Sequence, residues 1–143
     1  MSIELDKIYL GDCLEVMKGF PDNIIDLTVT SPPYDNLRTY NDSLLWNEDV
    51  WKAVLQQLYR VTKQGGVVVW VVGDATIKGS ETGTSFKQAL YAKEVGFNLH
   101  DTMIYQKQFY LPLTHNRYEQ EFEYMFVFSK GDTKTFCPIK TIS

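Results

Sequence analysis

Two consecutive prolines, Pro32 and Pro33, fix the end of an apolar stretch near the start of this sequence. The stretch, Ile24–Val29, has the composition of a buried strand. Proline donates no ladder hydrogen bond and pushes the residue before it into an extended conformation, so the strand has to stop at Ser31. The result is a stiff turn with free carbonyl oxygens, followed at once by the ring of Tyr34. Such a turn can accept hydrogen bonds from an amino group on a planar ring while Tyr34 stacks on that ring.

Strand and helix patterns alternate along the rest of the chain. An apolar stripe with a 3.6-residue period predicts the helix Glu48–Thr62. Gly96, at the C-terminal stop position, predicts the end of the helix Thr84–Val95. Alternation of this kind predicts a doubly wound α/β sheet with ligands at the carboxyl ends of its strands. The predicted elements are a strand Lys7–Leu10, a helix Cys13–Gly19, a strand Leu27–Thr30, a helix Glu48–Thr62, a buried strand Val67–Val72, a helix Thr84–Val95 and the strands Leu99–Gln106 and Glu123–Ser129.

Three groups of polar residues directly follow predicted strands: Asp12, the Ser31–Tyr34 turn and Asp74. Because the carboxyl ends of parallel strands meet at one edge of a sheet, we expect these residues to converge there. The polar segments 35–47 and 75–83 have no periodicity and are predicted as loops. Long loops in compact domains often carry function.

Length and composition indicate one globular domain of 143 residues. Its two cysteines, Cys13 and Cys137, have no metal-ligand spacing, so a reduced, cytoplasmic protein without a metal site is the simplest interpretation. The longest apolar run, Val67–Val72, is too short to span a bilayer, and charged residues near the N-terminus argue against a signal peptide. The net charge of −4 does not suggest a nucleic-acid partner, because DNA-binding surfaces are usually basic.

The Pro-Pro turn belongs to a larger resemblance. Ser31-Pro32-Pro33-Tyr34 resembles the catalytic motif of the amino-methylating DNA methyltransferases, which modify cytosine N4 or adenine N6 and have Asp, Asn or Ser before the two prolines. The segment 8–14 resembles the strand-Gly-Asp-Cys entry of that family, and the segment 123–131 resembles its late strand. The order strand, short helix, strand, Pro-Pro-Tyr from Leu5 to Tyr34 is a third match to the family. A bare Pro-Pro-Tyr would be weak evidence, since such triplets also occur in loops and as ligands of proline-binding modules.

The resemblance implies a partial class I methyltransferase fold. This is a Rossmann-like α/β three-layer sandwich with a mixed sheet that ends in an antiparallel strand. Residues 1–143 would form a single partial catalytic domain, in the permuted order that puts the Ser-Pro-Pro-Tyr half first. The family's methionine-binding and target-recognition segments have no counterpart in this sequence, so we expect only the N-terminal catalytic half.

The resemblance also implies catalytic roles for the turn. The exocyclic amine of a base is a poor nucleophile because its lone pair is delocalised into the ring. Ser31 and the Pro32 carbonyl would hold the amine in the rigid Pro32-Pro33 turn, and Tyr34 would stack on the base, which must be flipped out of the duplex. Asp74 would hydrogen-bond the Ser31 hydroxyl, and a plain loop carboxylate is the alternative.

Cofactor and base-pocket residues follow from the same resemblance. Asp12, Cys13 and Ser31 would bind S-adenosylmethionine, with Asp12 near its adenine, although Asp12 equally suits a helix N-cap before Cys13. Tyr105 and Lys107 lie in a segment similar to the family's Ile-Trp-x-Lys, whose aromatic residue lines the base pocket. Here a tyrosine replaces the tryptophan, and a core tyrosine is an equal alternative.

A partial sheet would leave one strand edge bare. In the family's sheet, two strands that this sequence lacks separate the strand before Asp12 from Leu27–Thr30. We expect the unpaired edge of Leu27–Thr30 to be covered by the missing half, by a second copy of the chain, or by the N-terminal strand in the vacancy. The alternative functions are a non-catalytic fragment that pairs with another chain and a methyltransferase for a protein or RNA amine.

Overall fold

The computed structural model describes residues 3–34, 46–108 and 116–142. The predicted loop 35–47 therefore lies almost wholly outside the described residues. In the described ranges the chain forms α1 (Cys13–Lys18), β1 (Ile25–Thr30), α2 (Glu48–Val61), β2 (Thr62–Val72), β3 (Thr76–Ile77), β4 (Ser80–Glu81), α3 (Thr84–Val95), β5 (Asn98–Gln106) and β6 (Phe122–Ser129).

Four of these strands form a mixed sheet in the order β1-β2-β6-β5. Strand β1 runs parallel to β2, and β6 lies antiparallel between β2 and β5. The last strand in chain order is thus the antiparallel one, which confirms the predicted α/β fold with a mixed sheet. β3 and β4 form a small separate hairpin inside the predicted loop 75–83.

The core lies between the sheet and the helices. Helix α2 buries the stripe predicted from its 3.6-residue period, and β2 buries every second residue from Val68 to Val72. Helix α3 adds Ala89 and Ala92, and α1 adds Met17. All three helices join the same buried cluster, so they lie on one face of the sheet.

The direction of the crossovers explains why the helices share a face. The chain passes from β1 through α2 to the parallel strand β2, and from β2 through α3 to β5, in the same direction along the sheet. Right-handed crossovers that progress in one direction put their helices on one side. A doubly wound sheet needs a reversal of that direction, and no reversal occurs within the described residues. They therefore supply two of the three expected layers.

The other face and the outer edge of β1 are apolar and uncovered by the described residues. Leu27 is 59% and Val29 is 66% exposed, and Met103 on β5 is 48% exposed. Among the described strands, β1 has a partner on one side only, β2. The expected bare edge is therefore present among the described elements.

The predicted strand Lys7–Leu10 is wrong. Residues 7–10 form no strand and are exposed, with Leu10 fully accessible. A strand requires a neighbour to complete its ladder, and the described part of the chain has none available beyond β1. The N-terminal segment also does not pair with β1, so the alternative in which it covers the β1 edge is wrong.

The other predicted elements agree closely with the structure. Strand β2 begins five residues before the predicted Val67, because Thr62 pairs with Ile25 of β1 and the ladder resumes at Leu27 and Val67 after a register irregularity. Within that irregularity Gly65 adopts a φ of 83°, and its N–H donates to the Lys130 carbonyl at 2.6 Å. Helix α3 has the predicted bounds, and α1 and α2 each end one residue early. None of the described helices combines the length and apolar character needed to cross a membrane.

Candidate active site

Polar residues from three strands meet at one edge of the sheet, beside the end of a fourth strand. Strands β1, β2 and β5 are mutually parallel, so their carboxyl ends share this edge, and the antiparallel β6 begins there. Ser31 follows β1, Lys107 follows β5, and Glu123 is the second residue of β6. Gly73, directly after β2, lies between Ser31 and Glu123, because β2 lies between β1 and β6 in the sheet.

The Ser31–Tyr34 turn is held against the end of β2. A Cβ atom placed on Gly73 would lie 3.6 Å from Cδ2 and Cε2 of the Tyr34 ring, so the ring packs on the Gly73 backbone. Tyr34 is half-buried, Pro32 is buried and Ser31 is exposed. The two hydroxyl oxygens, Ser31 Oγ and Tyr34 Oη, are 3.1 Å apart. The turn therefore presents an accessible serine beside a fixed aromatic ring.

Glu123 joins this turn to the far side of the sheet, and sequence reasoning missed it as a site residue. The Tyr34 hydroxyl donates to Glu123 Oε2 at 2.5 Å, and Lys107 Nζ lies 2.9 Å from Glu123 Oε1. The Glu123 side chain is only 18% exposed. A carboxylate at the start of the apolar run that forms β6 is unusual, since acidic residues are seldom buried unless paired. An acidic residue in this apolar run was therefore the one sequence feature that pointed to Glu123 as a site residue.

The predicted base-pocket residues lie on the Glu123 side of the sheet edge. Tyr105 is directly opposite Glu123 in the β5–β6 ladder, so the two side chains project from the same face. Tyr105 is 52% exposed and is therefore not a core tyrosine. Lys107 contacts Glu123 through its ammonium, and its backbone N–H donates to the Glu121 carbonyl at 2.6 Å.

The expected hydrogen bond between Asp74 and Ser31 is not formed among the described residues. Asp74 Oδ1 accepts from the Ser85 backbone N–H at 2.7 Å, and Oδ2 accepts from the Ser85 hydroxyl at 2.6 Å. Helix α3 starts after Gly83, which has no side-chain cap of its own. Asp74 therefore caps α3 from a neighbouring strand end, because the first turn of a helix has unpaired N–H donors.

Replacing Asp74 with alanine is expected to destabilise the fold by about 2 kcal/mol, since it removes a cap and leaves the buried Ser85 donors without their acceptor. Urea unfolding followed by circular dichroism measures the change. Asp132→Ala, at an exposed position, is the matched control and is expected to be neutral. Equal stability of the two variants would contradict the capping role.

Asp12 and Cys13 lie at the start of α1. Asp12 Oδ1 accepts from the Leu14 N–H at 2.8 Å, so the predicted N-cap is present. In the described part of the chain, no hydrogen bond joins either residue to the Ser31–Tyr34 turn. Desolvation by surrounding protein atoms, reinforced by the Asp12 charge, raises the pKa of the Cys13 thiol and favours its protonated form. The structure thus assembles Ser31, Tyr34, Tyr105 and Lys107 at one edge and leaves the α1 residues apart from them.

Comparison with known proteins identifies the family. A family model described as DNA methylase, of the N6/N4 class, matches residues 25–142. The chain belongs to this DNA methylase family. The match includes the Ser31–Tyr34 turn and extends past the end of β6.

Similar curated members of the DNA methylase family come from bacilli. The orphan methyltransferase M.BamHII of Bacillus amyloliquefaciens is 66% identical over 129 residues, which cover 90% of this chain and 43% of the relative. The type II methyltransferase M.BglII of Bacillus subtilis is 41% identical over 71 residues, 48% of this chain and 20% of the relative. The chain thus spans less than half the length of these relatives.

Solved structures of DNA methylases have the same fold. The cytosine-N4-specific PvuII DNA methyltransferase superposes with a TM-score of 0.72 at 23% identity, covering 87% of this chain and 49% of that one. A putative DNA modification methylase of Thermus thermophilus, TTHA0409 in complex with S-adenosyl-L-methionine, gives 0.67 at 25% identity, covering 92% and 57%. The Rossmann-like methyltransferase fold of this chain follows from these superpositions.

Proposed function

We propose that this chain is the catalytic half of a DNA methyltransferase that transfers a methyl group from S-adenosylmethionine to an exocyclic base amine. The observation that carries the proposal is the Ser31–Tyr34 turn, held at the sheet edge beside Glu123 and Lys107 in a chain of the DNA methylase family. The amine would be cytosine N4 or adenine N6.

The turn suits the chemistry of a weakly nucleophilic amine. Ser31 is exposed, and the backbone around the two prolines is rigid, so its oxygen acceptors are fixed before the substrate arrives. Acceptors that hold both amine hydrogens favour a pyramidal nitrogen, whose lone pair then points at the methyl donor. The packed ring of Tyr34 gives the flipped base a stacking surface, and the exposed Tyr105 is a candidate for the opposite wall.

The remaining predicted residues have more limited roles in this proposal. Asp74 acts by anchoring the end of β2 to α3, since its carboxylate is engaged by Ser85. Asp12 and Cys13 stay candidates for the cofactor side of the site. Lys107 is placed to hold Glu123 at the base-pocket edge.

The residues that the structure describes supply one wall of a cofactor site. The carboxyl end of β1 is accessible at Ser31, but none of the described strands lies beyond β1, and residues 7–12 are exposed. In open α/β sheets ligands bind where the strand order reverses, which would be at this open side of β1. S-adenosylmethionine, when bound, supplies a methyl group on a positively charged sulfur, already activated for transfer. Ser31 and Asp12 would form the near wall, and further protein would have to form the other.

We therefore also propose that the chain works with a partner at the β1 edge, either a C-terminal half like that of its longer relatives or a second copy. Two observations support this proposal. The apolar side chains of Leu27 and Val29 are exposed, and the chain covers less than half the length of its relative M.BamHII. The bacterial origin of M.BamHII and M.BglII supports a cytoplasmic protein of a prokaryote or phage, as in a restriction-modification setting.

Methyl transfer from radiolabelled S-adenosylmethionine to duplex DNA tests the proposal. The chain is assayed alone and mixed with a polypeptide that carries the part of M.BamHII beyond the matched region, and product nucleosides distinguish N4-methylcytosine from N6-methyladenine. Tyr34→Ala is expected to lower the rate by about 100-fold by removing the stacking surface. Tyr118→Ala, at a 98% exposed tyrosine, is the matched control. Calorimetric titration of S-adenosylmethionine is run on the same samples.

Two outcomes would change the assignment. Methylation of a protein or RNA substrate in place of DNA would move the chain to another methyltransferase class. Absence of both cofactor binding and methyl transfer in the chain alone and in the mixture would favour the non-catalytic fragment, for which the open β1 edge is the supporting observation.

A further inference from the structure

Two hydrogen bonds link the hydroxyl groups of Ser31 and Tyr34 to Glu123. The 3.1 Å separation between Ser31 Oγ and Tyr34 Oη fits a bond in either direction. The direction is decided by the second link, in which the Tyr34 hydroxyl lies 2.5 Å from Glu123 Oε2. An ionised carboxylate can only accept, so the single Tyr34 proton has to be used there.

Proton counting then fixes the direction of the first link. With its proton donated to Glu123, Tyr34 can only accept from Ser31, so the Ser31 proton points along the chain toward Tyr34. The lone pairs of Ser31 Oγ are left for other donors. Ser31 is exposed, so these lone pairs are accessible from outside the protein.

Lys107 maintains the state of Glu123 on which this order depends. Its ammonium lies 2.9 Å from Oε1, while the Tyr34 hydroxyl donates to the other carboxylate oxygen, Oε2. A charge-assisted bond of this kind stabilises the ionised carboxylate. The low exposure of Glu123, at 18%, limits competition from water for the same oxygens.

We propose that Glu123 is a positioning residue that acts through Tyr34 to turn the Ser31 hydroxyl proton away from the substrate and make Ser31 Oγ an acceptor for the target amine. This inference rests on the proposed function. A serine hydroxyl can otherwise present its own hydrogen to the amine hydrogens, which would repel the substrate. An aspartate at position 31 would have no such proton and would need no orientation.

The first experiment reads the hydrogen bond without cofactor or DNA. A tyrosine hydroxyl proton bound to a carboxylate is expected as a downfield, slowly exchanging NMR resonance in the tyrosine-labelled chain. It should disappear in Tyr34→Phe and in Glu123→Met, and remain in Glu121→Met, which makes the same change two residues earlier. A resonance unaffected by Glu123→Met would overturn the inference whether or not the chain methylates DNA.

The second experiment measures kcat and KM in the assembly that methylates DNA. Glu123→Met is expected to lower kcat by about 100-fold with little change in KM for DNA, because a misoriented acceptor affects the transition state. Glu123→Gln keeps an acceptor oxygen and should retain more activity. Glu121→Met should leave kcat unchanged.

The Ser31→Asp background separates positioning from general structural damage. In that background Glu123→Met is expected to change kcat by less than about threefold, since no hydroxyl proton needs orienting. An equal loss in both backgrounds would overturn the inference and leave the proposed function intact. If the unaltered assembly fails to methylate DNA, the proposed function falls and the substrate role of Ser31 falls with it, while the NMR result still decides whether the Tyr34 hydroxyl donates to Glu123.

Discussion

Lysine in place of Val29 is expected to abolish tight association at the open edge of β1. The Val29 side chain is 66% exposed on the uncovered face, so the substitution leaves the core of the chain intact. A partner strand would bury this position, and an unpaired charge there removes the apolar gain, weakening association by about 100-fold or more. Sedimentation velocity of the chain, alone and with the complementary half of M.BamHII, measures the change.

Leu90→Lys provides a closely matched control. Leu90 is also 66% exposed, but it lies on α3, on the helical side of the sheet. The control should associate as the unaltered chain does. Concentration-dependent dimerisation of the chain alone, lost in Val29→Lys, would identify a second copy as the partner, whereas loss confined to the mixture would identify the complementary half of M.BamHII as the kind of partner that binds this edge. Equal association of both lysine variants would show that the β1 edge is not an interface.

Elements with strong local signals could be predicted from the sequence. The bounds of α3 are correct because Gly96 ends the helix with a φ of 133°, a conformation that other residues rarely adopt. The end of β1 is correct because Pro32 cannot continue a ladder. In both places one residue type fixes the backbone regardless of what surrounds it.

Elements that depend on distant partners could not be predicted in the same way. The Lys7–Leu10 strand failed because strand patterning carries no information about whether a neighbouring strand is available. The reversal of a doubly wound sheet likewise depends on strand order, which the alternation of helices and strands does not encode. Such features depend on the assembled sheet.

The candidate site shows the same division between local and distant information. The Ser31–Tyr34 turn is a contiguous motif and was recognised directly. Glu123 is 89 positions from its Tyr34 partner, so only the assembled sheet reveals the contact. The prediction that Asp74 follows a strand end is correct. Its carboxylate, however, accepts hydrogen bonds from Ser85, 11 positions later, and not from Ser31.

Phenylalanine in place of Trp70 is expected to destabilise the chain by about 3 kcal/mol, combining lost volume with an orphaned polar group. Trp70 is fully buried on β2, and its indole N–H donates to Gln88 Oε1 at 2.8 Å. Gln88 on α3 is 1% exposed, and its Nε2 has no hydrogen-bond partner among the described residues. Trp70→Phe would leave both polar ends of Gln88 unsatisfied. Urea unfolding measures the loss.

Trp51→Phe separates the two contributions to that loss. Trp51 is also buried, at 4% exposure, and no indole hydrogen bond is seen for it in the described part of the chain, so the variant is expected to lose the volume contribution only. Gln88→Leu alone leaves the Trp70 N–H without its acceptor. In the Trp70→Phe background, the same substitution removes the Gln88 amide that would otherwise have no partner. The double variant should therefore be more stable than the sum of the single losses predicts, by about 2 kcal/mol. Additive losses would mean that this buried hydrogen bond does not couple β2 to α3.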